Sequence, residues 1–264
     1  MDLRLAGRRA LVTGSSGGIG AVIAETLAAE GCGVLIHGRS ADSAAGVADR
    51  VRSLGAPAEV VLGDLTEPGV AERVAVAAVA FGARILVNNA GPLAEHDWDS
   101  AEPEDWLAAF NGNVVSTARV TRGLLPALRN SGWGRVVNMG SRAVTTPLPH
   151  LVEYSAAKAA VVNLTTSLAK QLAGTGVTAN CVSPGVIVTP TMKQLFTDRA
   201  EKQGRDADWA TLEPLVAAEY APNPTGRLGR AGDIADTVAF LSSPVADYIN
   251  GINLRVDGGI TLTP

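Results

Sequence analysis

Leu11-Val12-Thr13-Gly14-Ser15-Ser16-Gly17-Gly18-Ile19-Gly20 passes from an apolar segment straight into an alanine-rich one, and the reading of that passage decides the fold. Residues 9–13 have the composition of a buried strand, and residues 19–30 the spacing of a helix that Gly31 ends. Glycines at 14, 18 and 20 permit a tight turn, close approach of the backbone to a diphosphate and close packing of helix on strand. The helix N-terminus then offers free N–H groups and a positive dipole end to phosphates. Placed between the first strand and first helix of a β-α-β unit, such a turn favours a dinucleotide over a plain reversal of the chain.

Working outward, the same alternation recurs to the end of the chain. Strands are expected at 34–37, 59–62, 85–88, 135–139, 177–182 and 253–256, and helices at 41–54, 68–81, 104–129, 151–173 and 233–241. Continuous apolar strands, each followed by a helix, imply an α/β fold: a doubly wound parallel sheet with helices on both faces. No linker-like shift in composition divides the chain, so residues 1–264 read as one domain. The exception to the pattern is 189–230, where Pro190, Pro214, Pro222 and Pro224 interrupt mixed helical patterns and no strand is evident. A long irregular insertion of this kind is usually functional, and it reads as a mobile substrate-side lid.

Composition narrows the functional classes. A chain of 264 residues with 47% hydrophobic and 18% charged residues can bury a large core, which argues against disorder. A formal net charge of −4 gives no electrostatic case for nucleic acid or an anionic membrane. Asp2, Arg4, Arg8 and Arg9 interrupt the N-terminus before any apolar run develops, and no stretch approaches the ~20 apolar residues of a membrane span. The expectation is a soluble cytoplasmic protein. Cys32 and Cys181 have no metal-ligand spacing and read as small core residues, so no metal is expected.

The residues just after the second strand select the cofactor. An acidic side chain there would bond the adenosine ribose hydroxyls; an arginine would favour a 2′-phosphate. The strand ends Ile36-His37-Gly38-Arg39-Ser40, without a carboxylate, so NADP(H) is expected in preference to NAD(H), with Arg39 and Ser40 on the phosphate. His37 reads as a strand-end residue. Further on, Glu153-Tyr154-Ser155-Ala156-Ala157-Lys158 places a phenol and an ammonium one helical turn apart. A free tyrosine has a pKa near ~10, and a cation within about 4–6 Å lowers it toward the working range. Taken alone, that spacing is common among ordinary surface pairs.

Taken together, these residues resemble the short-chain dehydrogenase/reductases over essentially the full chain. Thr13-Gly14 and Gly18-Ile19-Gly20 match that family's cofactor turn, with Ser16 expected on the cofactor although Ser16 and Gly17 stand where some NADP-using relatives place a basic residue, and Asn88-Asn89-Ala90-Gly91 matches its segment after the fourth strand. Asp64-Leu65 resembles its adenine-contacting pair, and Pro184-Gly185-Val186 with Thr189 the segment that holds the nicotinamide carboxamide. Ser141, thirteen residues before Tyr154, and Lys158 reproduce its catalytic spacing, with Asn113 as the fourth member. The resemblance implies a seven-stranded sheet and NADP(H)-dependent interconversion of a carbonyl and an alcohol. Tyr154 would donate the proton, Ser141 hold the carbonyl oxygen, Lys158 lower the tyrosine pKa, and Asn113 tie its amide to backbone and to a water reaching Lys158. It also implies a homotetramer or dimer built on the helices at 104–129 and 151–173, with Ala118, Val120, Leu124, Val161, Val162 and Leu168 as candidate apolar faces, although each could equally face its own sheet.

The ending from Gly226 to Gly259 is most similar to the 3-oxoacyl-acyl-carrier-protein reductase branch. Neutral residues at Gly132 and 174–176 leave only Arg122, Arg129 and Lys170 for an acidic carrier protein, which discounts that substrate without excluding it. The substrate wall is expected from Pro92, Leu93, Val144, Leu148, Leu151, Met192 and Phe196, with Arg142, His150 and Glu153 nearby, although each apolar member could equally be core. That wall suits a medium-sized small-molecule carbonyl compound. Reduction of a ketone or 3-oxoacyl compound leads; oxidation of a polyol or hydroxysteroid by the same residues is the enzymatic alternative. A silent dinucleotide-binding sensor would have no need of Ser141, Tyr154 and Lys158 together.

Overall fold

The computed structural model describes residues 1–261. In chain order the strands are β1 (Arg9–Val12), β2 (Gly33–Gly38), β3 (Ala58–Leu62), β4 (Ile85–Asn88), β5 (Gly134–Met139), β6 (Val177–Pro184), β7 (Ile187–Val188), β8 (Gly229–Arg230) and β9 (Asn253–Val256). The helices are α1 (Gly18–Ala29), α2 (Ala41–Ser53), α3 (Val70–Phe81), α4 (Pro103–Phe110), α5 (Ser116–Asn130), α6 (Val152–Gln171), α7 (Pro190–Lys202), α8 (Trp209–Leu215) and α9 (Ala231–Leu241). Seven strands form one sheet in the order β3-β2-β1-β4-β5-β6-β9, every neighbouring pair parallel. The order reverses between β1 and β4, and in such sheets the crevice beyond the carboxyl ends of those strands is where a ligand sits.

Alternate residues of the strands serve opposite faces. Val12, Val34, Ile36, Ile85 and Val137 pack in one buried cluster with α1, α2 and α9, while Leu11, Leu35, Leu86 and Val136 pack in another with α3, α5 and α6. Between β4 and β5 the second layer also holds polar groups. Asn88 Nδ2 donates to Thr121 Oγ1 (3.0 Å) and to Asn138 Oδ1 (2.8 Å), and Asn138 Nδ2 donates to Thr165 Oγ1 (2.9 Å). This chain of bonds ties α5 through two strands to α6, the helix that carries Tyr154 and Lys158. Both cysteines are buried free thiols, and burial pushes them up, Cys32 to about 12 and Cys181 to about 11.

Four features differ from the sequence-based expectation. First, β3 is an edge strand and is not covered on both faces; Val60 and Leu62 are exposed. Second, the helix expected at 104–129 is broken into α4 and α5 by a π-helical turn, Asn111–Val115. Pro92 packs so closely on Gly112 that a Cβ there would lie 2.5 Å from its ring, which accounts for a glycine in that turn. Third, the 189–230 insertion does contain a strand: β8 pairs parallel with β7 through Ile187↔Gly229 and Val188↔Arg230. Val216, Ala221 and Leu228 give it a small core of its own, against which Met192, Phe196 and Tyr220 pack. Fourth, Val120, Leu124, Val161 and Leu168 are buried within the chain, leaving only Ala118 exposed and Val162 half-buried on the faces considered for association. Large apolar side chains exposed nearby include Trp98, Leu107 and Val115, with Val76 and Val79 beside α5.

Candidate active site

The turn between β1 and α1 is held from three sides. Gly14 lies in the left-handed region (φ 65°), and a Cβ at Gly20 would fall 2.5 Å from both Asn89 Nδ2 and Gly14 O. Asn89 Nδ2 donates to the carbonyls of Thr13 (3.0 Å) and Gly14 (3.2 Å), and the Thr13 hydroxyl accepts from the N–H groups of Asn89 and Ala90. His37 closes the third side: its Nδ1 accepts from Gly14 N–H (3.1 Å) while Nε2 donates to Gly63 O (3.1 Å). Burial holds this imidazole below its ordinary pKa, in keeping with a neutral ring that donates at one nitrogen and accepts at the other. It is thus a brace between two loops, a role that strand-end position alone does not reveal.

No side chain caps α1, so its first-turn N–H groups are available to a ligand. They open on a cleft of about 590 Å³ lined by Gly14, Ser16, Gly18, Arg39, Asp64, Leu65, Asn89, Ala90 and Gly91. A bare helix start, glycines where a Cβ would collide, and an arginine at the far rim fit a diphosphate-linked dinucleotide. Gly20 lies beneath the turn and does not line the cleft. Arg39 is 80% exposed with Nη1 3.5 Å from Asp64 Oδ2. Bonds from the Thr66 hydroxyl (2.6 Å) and N–H (2.9 Å), with Arg39 adding its charge, hold the Asp64 carboxyl below the usual range. Ser40 does not line the cleft: its hydroxyl caps α2 by accepting from Ser43 N–H (3.3 Å).

Past Asn89 and Gly91 the cleft continues into a crevice of about 720 Å³. Ile19, Ser141, Tyr154, Lys158, Pro184, Gly185, Val186 and Thr189 line it. Ser141 ends the stretch after β5 and accepts from Ala143 N–H (3.2 Å), which orients its hydroxyl, and that hydroxyl lies close enough to the Tyr154 phenol to lower its pKa. Lys158 is buried; its Nζ donates to Met139 O (2.9 Å) and sits 5.6 Å from the centre of the tyrosine ring. Asn113, in the π-helical turn, donates from Nδ2 to Pro92 O and Ala109 O (3.0 Å each). Its Oδ1 is buried with no partner among the described residues, and a Cβ on Gly91 would overlap it while lying 3.5 Å from Lys158 Nζ. The unpaired acceptor thus lies within a few ångströms of the ammonium.

Electrostatics here depart from the simple expectation. Burial raises the Tyr154 pKa, and the neighbouring Ser141 hydroxyl partly opposes it. Desolvation also lowers Lys158, to about 8, with the nearby Cys181 opposing. The physical reason is that α6 packs Lys158 against the end of the sheet, out of water, and sets Tyr154 half-buried in the crevice wall. A phenol kept protonated at neutral pH is suited to giving a proton, and a neighbouring ammonium is suited to stabilising the phenolate left behind.

The substrate side is walled by Pro92, Leu93, Leu148, Leu151, Met192 and Phe196, joined by Leu195, Ile187, Tyr220 and Arg142. Val144 does not line it, since it belongs to a short 3-10 turn, Arg142–Val144, in which only Arg142 reaches the crevice; His150 and Glu153 also stay outside. Leu195, Ile187 and Tyr220 escaped the sequence reading because their approach depends on how α7 and the π-helical turn Val216–Tyr220 fold back over the sheet. Thr189 has two uses: it lines the crevice and caps α7 through Met192 N–H (3.2 Å). Two ion pairs pin the loop that carries Leu93. Glu95 meets Arg199 of α7 at 2.7 Å, and His96 Nδ1 meets the buried Glu153 of α6 at 2.6 Å. Among the described residues no cluster of three or more His, Cys, Asp or Glu side chains could hold a metal ion, and no helix is long and apolar enough to cross a membrane.

Residues 8–200 match the family model for short chain dehydrogenases. The chain is 36% identical over 256 residues to the 3-oxoacyl-acyl-carrier-protein reductase of Escherichia coli (strain K12), covering 96% of this chain and 97% of the other. Among solved structures, L-sorbose reductase from Gluconobacter frateurii, complexed with NADPH and L-sorbose, superposes with a TM-score of 0.94 at 31% identity, with full coverage of both chains. A 3-oxoacyl-acyl-carrier-protein reductase from Agrobacterium tumefaciens with NADP bound superposes at 0.87 and 34% identity, covering 98% of this chain and 96% of that one.

Proposed function

The chain belongs to the short-chain dehydrogenase family and is an NAD(P)-dependent oxidoreductase acting between CH–OH and C=O groups; from that premise we propose that it uses NADP(H) to reduce a ketone or 3-oxoacyl-type carbonyl to a secondary alcohol. The observation that carries this reading is the convergence of Ser141, Tyr154 and Lys158 in a crevice that runs into the glycine-turn cleft, with Arg39 at its far rim. A bound reduced nicotinamide supplies the hydride. The chain does the rest. Tyr154 gives its proton to the carbonyl oxygen, and Ser141 hydrogen-bonds the same oxygen, which fixes the carbonyl and stabilises the charge that develops on it. Lys158 stabilises the resulting phenolate, and a water bridging Asn113 Oδ1 and Lys158 returns a proton from solvent.

The cofactor's adenosine end would be held by Gly14, Ser16, Arg39, Asp64, Leu65, Asn89 and Ala90, and its nicotinamide end by Gly91, Pro184, Gly185, Val186 and Thr189. The same residues run the reverse reaction, oxidation of a secondary alcohol, and the names of similar proteins include both reductases and dehydrogenases. The guanidinium of Arg39 tilts the reading to NADPH and hence to reduction. In this reading the insertion at 189–230 closes over the substrate, and the chain works as a cytoplasmic homotetramer or dimer.

The deciding experiment follows NADPH absorbance over a panel of acyl-thioester, aromatic ketone and sugar substrates, with Tyr154→Phe as control. Turnover of at least one member is expected, abolished in the variant while NADPH still binds. Near-normal turnover by Tyr154→Phe removes the phenol from the mechanism.

A further inference from the structure

Two arginines are buried among the described residues, and only one of them is satisfied. Arg135, fully buried, donates to the carbonyls of Ser243 (3.2 Å) and Gly134 (2.7 Å), pairs with Asp247 and stacks over Trp133. Arg142 is 8% exposed, yet among the described residues its guanidinium has no hydrogen bond, ion pair or ring contact. Its nitrogens are not among the sealed polar atoms that lack partners, so they keep access to open space. That space is the crevice, which Arg142 lines one residue beyond Ser141. Its backbone is fixed, because its carbonyl accepts from Thr145 N–H (3.1 Å) and Thr146 N–H (3.0 Å). A nearly buried cation costs stability unless something pairs with it, and no described residue does.

The other charges around the crevice are already engaged. Lys158 is bonded to Met139 O, Arg39 lies at the cofactor end beside Asp64, and Glu95 is taken by Arg199. A single free guanidinium against an apolar wall of Leu148, Leu151, Met192 and Phe196 fits one carboxylate and a short carbon chain. A dianionic phosphate would call for a second free cation, and the wall supplies none.

We propose that Arg142 is a specificity-determining residue and that the substrate is an oxo acid, or its hydroxy acid in the reverse direction, whose carboxylate Arg142 binds while Ser141 and Tyr154 hold the carbonyl. This rests on the carbonyl-reductase reading and narrows it. In the reaction the ketone carbon takes hydride from NADPH and its oxygen takes the Tyr154 proton; NADP⁺ and a hydroxy acid result, and the carboxylate passes through unchanged.

The test compares straight-chain 2-, 3-, 4- and 5-oxo acids with their methyl esters, in wild type and in Arg142→Gln and Arg142→Lys. Wild type is expected to favour one of the acids over its ester by roughly 10- to 100-fold in kcat/KM. Arg142→Gln should lose that preference through a higher KM for the acid, with the ester changed less than threefold, and Arg142→Lys should restore part of it. A second readout needs neither turnover nor the variants: thermal shift of the wild-type protein with NADPH by butyrate and valerate against their amides. Stabilisation by the carboxylates alone supports the inference. Equal response to acids and amides overturns it, as does an acid preference that survives in Arg142→Gln. Failure of every acid, ester and neutral ketone to turn over would instead refute the reductase reading, while the thermal shift still decides whether the guanidinium binds a carboxylate.

Discussion

Arg39→Ala tests the cofactor assignment most directly, and the structure sets its size. In the free protein the guanidinium rests 3.5 Å from Asp64 at an exposed rim, an arrangement that contributes at most about 1 kcal/mol. A charge-assisted bond to a phosphate contributes about 1.5–3 kcal/mol. Moving from carboxylate to 2′-phosphate therefore leaves a net gain of about 0.5–2 kcal/mol, roughly 2- to 30-fold in kcat/KM at about 1.4 kcal/mol per decade. The assay is the ratio of kcat/KM for NADPH and NADH, because contacts common to both cofactors cancel. Arg39→Ala should lower that ratio by the stated factor, with NADH unchanged. Asp64→Asn frees the arginine and should raise the ratio by up to about fivefold. The double variant should behave like Arg39→Ala, since the carboxylate acts on the ratio only through the guanidinium. A ratio that Arg39→Ala moves by less than twofold refutes the reasoning.

Four further outcomes are expected at the site. Lys158 is held near 8, so its ammonium is charged below that pH and neutral above it; NADPH affinity of the free protein, followed by fluorescence, should weaken as pH rises from 7 to 9 and lose this dependence in Lys158→Met. Because an unfolded lysine titrates at 10.5, the unfolded chain binds more protons at this site between 8 and 10.5, so the stability of wild type relative to Lys158→Met should rise with pH across that window. In Gly20→Ala the new methyl meets Asn89 Nδ2 and Gly14 O at 2.5 Å, which should cost about 1–3 kcal/mol in urea unfolding and weaken NADPH; an unchanged midpoint and Kd would contradict the packing described. His37→Leu deprives Gly14 N–H and Gly63 O of partners, at about 1–3 kcal/mol for each group left buried, so a variant as stable as wild type would show that the ring is not a brace.

Local rules made the architecture legible. Continuous apolar runs alternating with helical spacing, and glycines at the β1–α1 turn, located every strand of the large sheet within about two residues, because a buried parallel sheet constrains each strand by its own composition. Where the constraint weakens, the reading weakens with it: β3 is an edge with one open face, and β8 is two residues whose pairing depends on β7, far back along the chain. The helix at 104–129 reads as regular because a π-helical turn has no signature in local spacing; it is imposed by Pro92 against Gly112 and by the carbonyls that Asn113 serves.

For the site, residue types and spacings nominated the glycine turn and Arg39 and brought Tyr154 and Lys158 together, while the family resemblance gave that pair its catalytic weight and added Ser141. The surroundings of those groups were decided only in three dimensions. Burial raises the tyrosine and lowers the lysine, against what their spacing suggests, because desolvation depends on the elements packed around α6 and on nothing in the hexapeptide itself. Whether an arginine has a partner is likewise a property of the whole fold. Arg135 enters β5 and Arg142 lies just beyond its other end; distant segments satisfy the first and leave the second to face the crevice.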